Sequence, residues 1–338
     1  MTRPDNLTMT TAAAPDLPHA ELYGHGGRLG AAARHFPHAP GPWIDLSTGI
    51  SPWSYPVELL PRADWTRLPE PETLARLEAA AAAAFGAPDP EEVVAVPGSD
   101  LAIRLIPQLL GPKQAHYLAP IYSGHRAAWP DARPVTRDWM EEAELLILAN
   151  PNNPDGHSID PEALRALPGQ LIVDEAFADA SPDISLAPNR WDAIVLRSFG
   201  KFFGLAGLRL GFVLADRPLA HRLRALLGDW PVSAPAIGIA TAAYEDQDWQ
   251  AAQRARLYDA SGRLDTILRS AGLAIAGGTA LFRLARTEGA AGLFRHLAEA
   301  GILVRPFAED STALRFGLPG DELHWQRLEL ALATWSKQ

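Results

Sequence analysis

What most limits the fold of this chain is a succession of short apolar runs, at residues 92–96, 116–119, 145–149, 171–173, 193–196 and 212–214, separated by helical segments or turns. Short runs that stay apolar throughout belong to strands buried on both faces. Strands that alternate with helices build a parallel sheet covered on each side. The pattern therefore predicts an α/β fold. In such sheets ligands gather at the carboxyl ends of the strands, which directs attention to the residues that follow each run.

The helical segments are legible by propensity. Residues 73–85 hold six consecutive alanines and stop at Gly86, and residues 101–110 are amphipathic. Beyond Pro235 the character changes. Helices are predicted over 236–244, 249–271, 290–300 and 321–335, with strands over 280–285, 302–307 and 313–318, which together suggest a smaller α+β domain. This divides the chain into a leader and arm (1–44), a large domain (45–235) and a small C-terminal domain (236–338). Residues 1–18, rich in Thr, Ala and Pro, are expected to form a disordered leader with no signal peptide. Residues 19–56, dense in Gly, Pro, His and aromatics, are expected to be an extended arm with tight turns, without a stable helix, packed on another subunit.

Composition narrows the function. The 338 residues are 47% hydrophobic, enough for a large core, and carry a net charge of −10. An acidic chain is a poor non-specific binder of nucleic acid. The absence of cysteine excludes disulfides, thiolate metal sites and cysteine nucleophiles. No run approaches the length of a membrane span, and the expected setting is the cytoplasm.

The residues after the apolar runs form a constellation. Gly98-Ser99-Asp100 opens a helix whose backbone N–H groups can cradle a phosphate. Tyr122 offers an aromatic face for a flat ring. Asn153 lies in Asn150-Pro151-Asn152-Asn153-Pro154-Asp155-Gly156, and Asp174 places a carboxylate at a strand end. In the stretch 197–211, five glycines or alanines let the backbone approach a bound group closely. Ser198 stands three residues before Lys201 and Arg209 eight after it, both suited to phosphate. A lysine amine held away from bulk water forms Schiff bases with carbonyl cofactors. Singly, each feature has an ordinary reading as a cap, a turn or a core residue. At successive strand ends they mark one site.

The motifs Asn153-Pro154-Asp155-Gly156, Asp174-Glu175-Ala176-Phe177, Ser198-Phe199-Gly200-Lys201 with Arg209, and Leu314-Arg315-Phe316-Gly317 resemble the fold-type I pyridoxal-phosphate enzymes, in their histidinol-phosphate aminotransferase-like branch. The likeness runs over residues 25–330. It implies an aspartate aminotransferase-like large domain with a mainly parallel seven-stranded sheet, a small C-terminal α+β domain, and a homodimer with its active sites at the subunit interface. Position by position, it implies Lys201 as the Schiff-base lysine, Asp174 on the pyridine nitrogen and Tyr122 stacked on the ring. Asn153 would face the phenolic oxygen and the substrate. Ser99, Ser198 and Arg209, with Gly98 and Asp100 in the same turn, would hold the cofactor phosphate, and Arg315 the substrate carboxylate.

Three positions depart from that branch. Phe177 replaces a tyrosine, Asp155 a threonine, and Leu68, in Arg67-Leu68-Pro69, the tyrosine that reaches the neighbouring subunit's cofactor. His25-Gly26-Gly27-Arg28-Leu29, Trp43-Ile44-Asp45-Leu46-Ser47-Thr48-Gly49-Ile50 and Gly301-Ile302-Leu303-Val304-Arg305-Pro306-Phe307 resemble a narrower group, the L-threonine-O-3-phosphate decarboxylases of cobalamin synthesis. That group commonly carries Asn where this chain has Ser51. The resemblance implies a phosphorylated amino acid as substrate, released as CO2 and (R)-1-aminopropan-2-ol phosphate. His25 and Arg28 are expected to help bind the substrate phosphate. The alternatives are a histidinol-phosphate-type aminotransferase and a cofactor-binding regulator, for which the chain offers neither spare length nor a basic helix.

Overall fold

The computed structural model describes residues 20–59 and 66–335; the expected leader lies outside them. After β1 (Ile44–Asp45), seven strands form one sheet. They are β2 (Val93–Val96), β3 (Ala115–Leu118), β4 (Arg133–Val135), β5 (Leu145–Ala149), β6 (Gln170–Asp174), β7 (Ile194–Ser198) and β8 (Gly211–Leu214). Their spatial order is β2-β8-β7-β6-β5-β3-β4. Neighbours from β7 to β4 are parallel, while β8 runs antiparallel to β2 and to β7. The mainly parallel sheet is the one expected.

Burial explains which strands were visible in advance. β2, β5 and β8 are buried at every position. Val93 and Ala95 face one core while Val94 and Val96 face the other, so the sheet is covered on both sides. β4 has no such signature. It is an edge strand carrying Arg133 and Pro134, and proline is tolerated only where a ladder donor is not needed.

Strand direction sets up the site. Two antiparallel steps leave β2 parallel to β7, so the carboxyl ends of β2, β3, β5, β6 and β7 share one edge, and β8 begins there. Gly211 pairs with Val96 on one side and Ser198 on the other. The loops before β8 and after β2 and β7 are thereby brought together.

The remaining strands are β9 (Ala274–Thr279), β10 (Phe282–Arg286), β11 (Ile302–Leu303), β12 (Arg305–Pro306) and β13 (Ala313–Gly317). A small antiparallel sheet has the order β12-β13-β10-β9. β9 was not expected; its Gly277-Gly278 pair disguises it as a turn.

The arm corrects the expectation of a chain without helix. It contains helices Glu21–Gly24 and Leu29–His35, the second buried through Ala31 and Ala32. It is also stitched to its own chain: β1 pairs in parallel with β11, and the Gly317 N–H donates to the Leu46 carbonyl at 2.7 Å. No helix among the described residues is long and apolar enough to cross a membrane.

Candidate active site

Lys201 lies in a four-residue helix, Phe199–Phe202, directly after β7. Phe199, Phe202 and Phe203 around it are fully buried. Burial lowers the amine to about 8; repulsion from Arg315 and Arg209 adds to this, and Asp174 opposes it. Such an amine is substantially neutral, and therefore nucleophilic, at a pH where an ordinary lysine is almost wholly charged.

Asp174 ends β6, buried. Its Oδ2 lies 2.9 Å from His125 Nε2, and its Oδ1 accepts the Ala176 N–H at 3.1 Å. The carboxylate is thus fixed from two sides. His125, 1% exposed, had been given no role. Its only signal was its position one helical turn after Tyr122. The Tyr122 hydroxyl donates to Asp100 Oδ1 at 3.3 Å. Burial and Asp100 push this phenol up to about 12, so it stays protonated.

The residues expected to hold a phosphate come together where β8 begins. Gly98 has φ 85° at the mouth of the helix Ser99–Leu110, and a Cβ there would stand 2.7 Å from Arg209 Nη2. Arg209 itself is held left-handed at φ 53°, a conformation few non-glycine residues adopt. Ser99 and Ser198 flank Gly211: Ser198 is its register partner, and the Ser99 nitrogen lies 2.5 Å from where its Cβ would be. The mouth of a helix, the Arg209 guanidinium and the backbones of Ser99 and Ser198 come together here.

Arg315, on β13, donates to Asn153 Oδ1 at 2.6 Å and to the Ser47 carbonyl at 3.1 Å, while its buried Nε has no partner. With its oxygen taken, Asn153 keeps its amide N–H groups as donors. Arg305 stands directly opposite Arg315 in the β12–β13 register. Like charges facing across a ladder are destabilising; Glu309 offsets this at Arg305 and Asp45 at Arg315, and a bound anion would offset it further. Arg305 donates to the Gly24 carbonyl at 2.7 Å, which ties it to the arm, and its buried Nη1 has no partner. Partial loss of water around the ring, and after it Arg305 and Arg28, push the His25 imidazole down. His25 and Arg28 themselves are exposed. The expected pair on the arm is therefore brought to Arg305, which belongs to the motif 301–307 but has no role assigned by it.

Phe177, where the branch has a tyrosine, packs its buried ring 5.1 Å from Phe282. Leu68 is exposed and contributes no polar group. The donor set fits pyridoxal phosphate: one neutralisable amine, one fixed carboxylate, an aromatic face and a cradle in which a Cβ at Gly98 would collide with Arg209.

Comparison with known proteins agrees with this geometry. Residues 58–322 match the family described as aminotransferase class I and II. The chain is 43% identical to threonine-phosphate decarboxylase from Pseudomonas aeruginosa, over 91% of this chain and 96% of that one. It is 38% identical to the protein of the same name from Sinorhizobium sp, over 91% and 97%. Among solved structures, histidinol-phosphate aminotransferase from Sinorhizobium meliloti, in complex with pyridoxal-5'-phosphate, superposes with a TM-score of 0.77. Its identity is 23%, covering 95% of this chain and 97% of that one.

Proposed function

The chain belongs to the aminotransferase class I and II family, in the branch of fold-type I pyridoxal-phosphate enzymes that holds histidinol-phosphate aminotransferases and threonine-phosphate decarboxylases, and from that premise we propose that it decarboxylates L-threonine O-3-phosphate to (R)-1-aminopropan-2-ol phosphate and CO2 in cobalamin synthesis. The observation that carries this reading is the facing pair Arg305 and Arg315, each with a buried N–H that lacks a partner. A substrate with a carboxylate and a phosphate supplies two anions for this pair.

Pyridoxal phosphate, when bound, supplies an aldehyde that captures the substrate amine and a ring that draws electrons from a bond at Cα. Asp174, fixed by His125, holds a proton on the ring nitrogen, because a nearby carboxylate favours the cationic form. Lys201 would hold the cofactor's aldehyde through its amine and would serve the substrate as a base of moderate strength. Arg315 offers a planar fork to the carboxylate, and Arg305 with His25 and Arg28 takes the phosphate. Two anchored anions leave little rotation about the bond from nitrogen to Cα, and that rotation selects which bond at Cα breaks.

Decarboxylation over transamination is supported by the likeness at 43% identity across nearly the whole chain, and by Phe177 in place of the tyrosine. A histidinol-phosphate-type aminotransferase is the second reading, favoured by the structural likeness. The deciding assay supplies threonine phosphate to the purified, cofactor-loaded protein. Evolved CO2 and an amino alcohol phosphate support the first reading; turnover that requires 2-oxoglutarate and evolves no CO2 overturns it. The same reading takes the enzyme as a cytoplasmic homodimer, to be tested by light scattering and by cell fractionation.

A further inference from the structure

A four-residue helix cannot satisfy its own last carbonyls, because each would need a donor four residues further along. In the helix Phe199–Phe202 and the residue after it, the Lys201 carbonyl has a local donor, the Gly204 N–H at 3.3 Å, and the closer donors come from elsewhere. The Lys201 carbonyl accepts the Ser51 N–H at 2.9 Å, and the Phe203 carbonyl accepts the Tyr55 N–H at 3.0 Å. The Phe202 carbonyl accepts Gln253 Nε2 at 3.3 Å. The same nitrogen donates to Ser51 Oγ at 2.7 Å and to the Trp53 carbonyl at 3.0 Å. Since Phe202 and Trp53 present carbonyls, which only accept, the amide can be oriented in only one way.

Gln253 sits on the long helix Gln247–Ser270, and the face it shares presses on the same turn. Trp249 stacks on Phe203 with centroids 5.6 Å apart, and the Arg254 guanidinium lies 5.4 Å over the Phe202 ring. Gly204 closes the contact from the other side: it has φ 67°, and a Cβ there would lie 2.8 Å from Ser54 Cα and 2.9 Å from the Trp53 carbonyl oxygen. Both Gln253 and Ser51 are buried, at 4% and 3% exposure. A short side chain at Ser51 lets the long one of Gln253 reach three acceptors.

We infer that Gln253 is a positioning residue for Lys201, setting the direction of the amine by fixing the backbone of its turn against the segment 51–55. The inference rests on Lys201 being the cofactor lysine and holds for either reaction above. Loss of the amide takes its donor from the buried Phe202 carbonyl, while the Trp53 carbonyl keeps the Ser51 hydroxyl at 3.0 Å, and the turn relaxes away from Arg315, Arg209 and Asp174, the charged groups that act on the amine.

The test compares Gln253→Leu, which keeps bulk and removes the donor, with Leu264→Ala, a cavity at a fully buried position on the same helix. The readout is the pH dependence of Lys201 acylation in the cofactor-free full chain, followed by mass spectrometry. Gln253→Leu is expected to raise the midpoint toward that of an ordinary lysine, and in the loaded enzyme to lower kcat about 10- to 100-fold with KM little changed. Leu264→Ala is expected to lower the melting temperature and leave the midpoint where it was. Ser51→Ala, a milder change, is expected to move the midpoint the same way by less, and serves if Gln253→Leu does not fold. A midpoint that Gln253→Leu leaves unchanged, or one that Leu264→Ala moves equally, overturns the positioning role. A wild-type chain whose Lys201 titrates as an ordinary lysine and gives no visible absorbance with pyridoxal phosphate overturns the reading of the site itself, and this inference with it.

Discussion

Lys201, Asp174 and Ser198 stand at the ends of adjacent strands of one sheet, whereas His25, Arg28, Arg305 and Arg315 come from the arm and from two strands of another sheet. In the first group the ladder fixes the backbones of Asp174 and Ser198, the turn after β7 carries Lys201, and the Asp174 carboxylate is buried and partnered by His125. In the second group the β12–β13 ladder holds Arg305 and Arg315, but the arm with His25 and Arg28 reaches them through separate contacts, β1 with β11, Gly317 with Leu46 and Arg305 with Gly24, and cationic N–H groups are left without partners. On the proposed reading, the contrast teaches that the residues for the cofactor belong to the large sheet, while those for the substrate are assembled from separate pieces around it. Damage to the first half is expected to abolish activity, and damage to the second to weaken affinity in steps.

The largest expected effect lies in the first half. Lys201→Ala is expected to abolish the visible absorbance of the lysine-bound cofactor and to reduce turnover by about 10³-fold or more, measured by spectrophotometry and CO2 release. The wild-type amine offers a pH test of the same half. With its midpoint lowered to about 8, its neutral, reactive fraction is expected to fall about tenfold per unit below that pH and to level off above it. A midpoint near that of free lysine would break the claim that the turn is buried and rigid.

Next comes Arg305→Gln, expected to raise KM for the phosphorylated substrate by about 10- to 100-fold, the worth of charge-assisted hydrogen bonds. Its cofactor affinity, read by titration, should be unchanged; a parallel loss of cofactor would mean that the two halves are not separate. His125→Phe is expected to lower kcat about tenfold and to loosen the cofactor, with KM little affected, because it frees a carboxylate that the ladder alone does not orient. Smallest of all is Tyr122→Phe, which keeps the ring and gives up only the bond to Asp100. It should change turnover by less than about threefold, with the same pH profile below 10, since the phenol pushed up to about 12 remains protonated throughout.

The two halves also differ in how far the sequence exposes them. Strands buried on both faces leave continuous apolar runs, and the residues just after such runs lie at the ligand edge whatever the rest of the fold does. Lys201, Asp174 and the Gly98 turn are therefore legible from local pattern. His125 is not, because its role depends on how a six-residue helix is rotated against β6. Arg305 is not, because it matters only through its register with Arg315 across a strand pair. β4 and β9 escaped notice for the converse reason: an exposed edge and a glycine pair erase the apolar signal that the buried strands carry. The helix Leu29–His35 hides among glycines, prolines and histidines although three adjacent alanines mark its middle.

The parallel pairing of β1 with β11 has a consequence for how the chain comes into being. Ile44 and Asp45 leave the ribosome early, but their partners Ile302 and Leu303 are made near the end of synthesis. Contacts so distant along the chain form late and slowly. A nascent polypeptide can thus pair the strands of the lysine-bearing sheet before Arg305 and Arg315 exist, and a message truncated before codon 302 omits both members of the facing pair while it keeps Lys201 and Asp174.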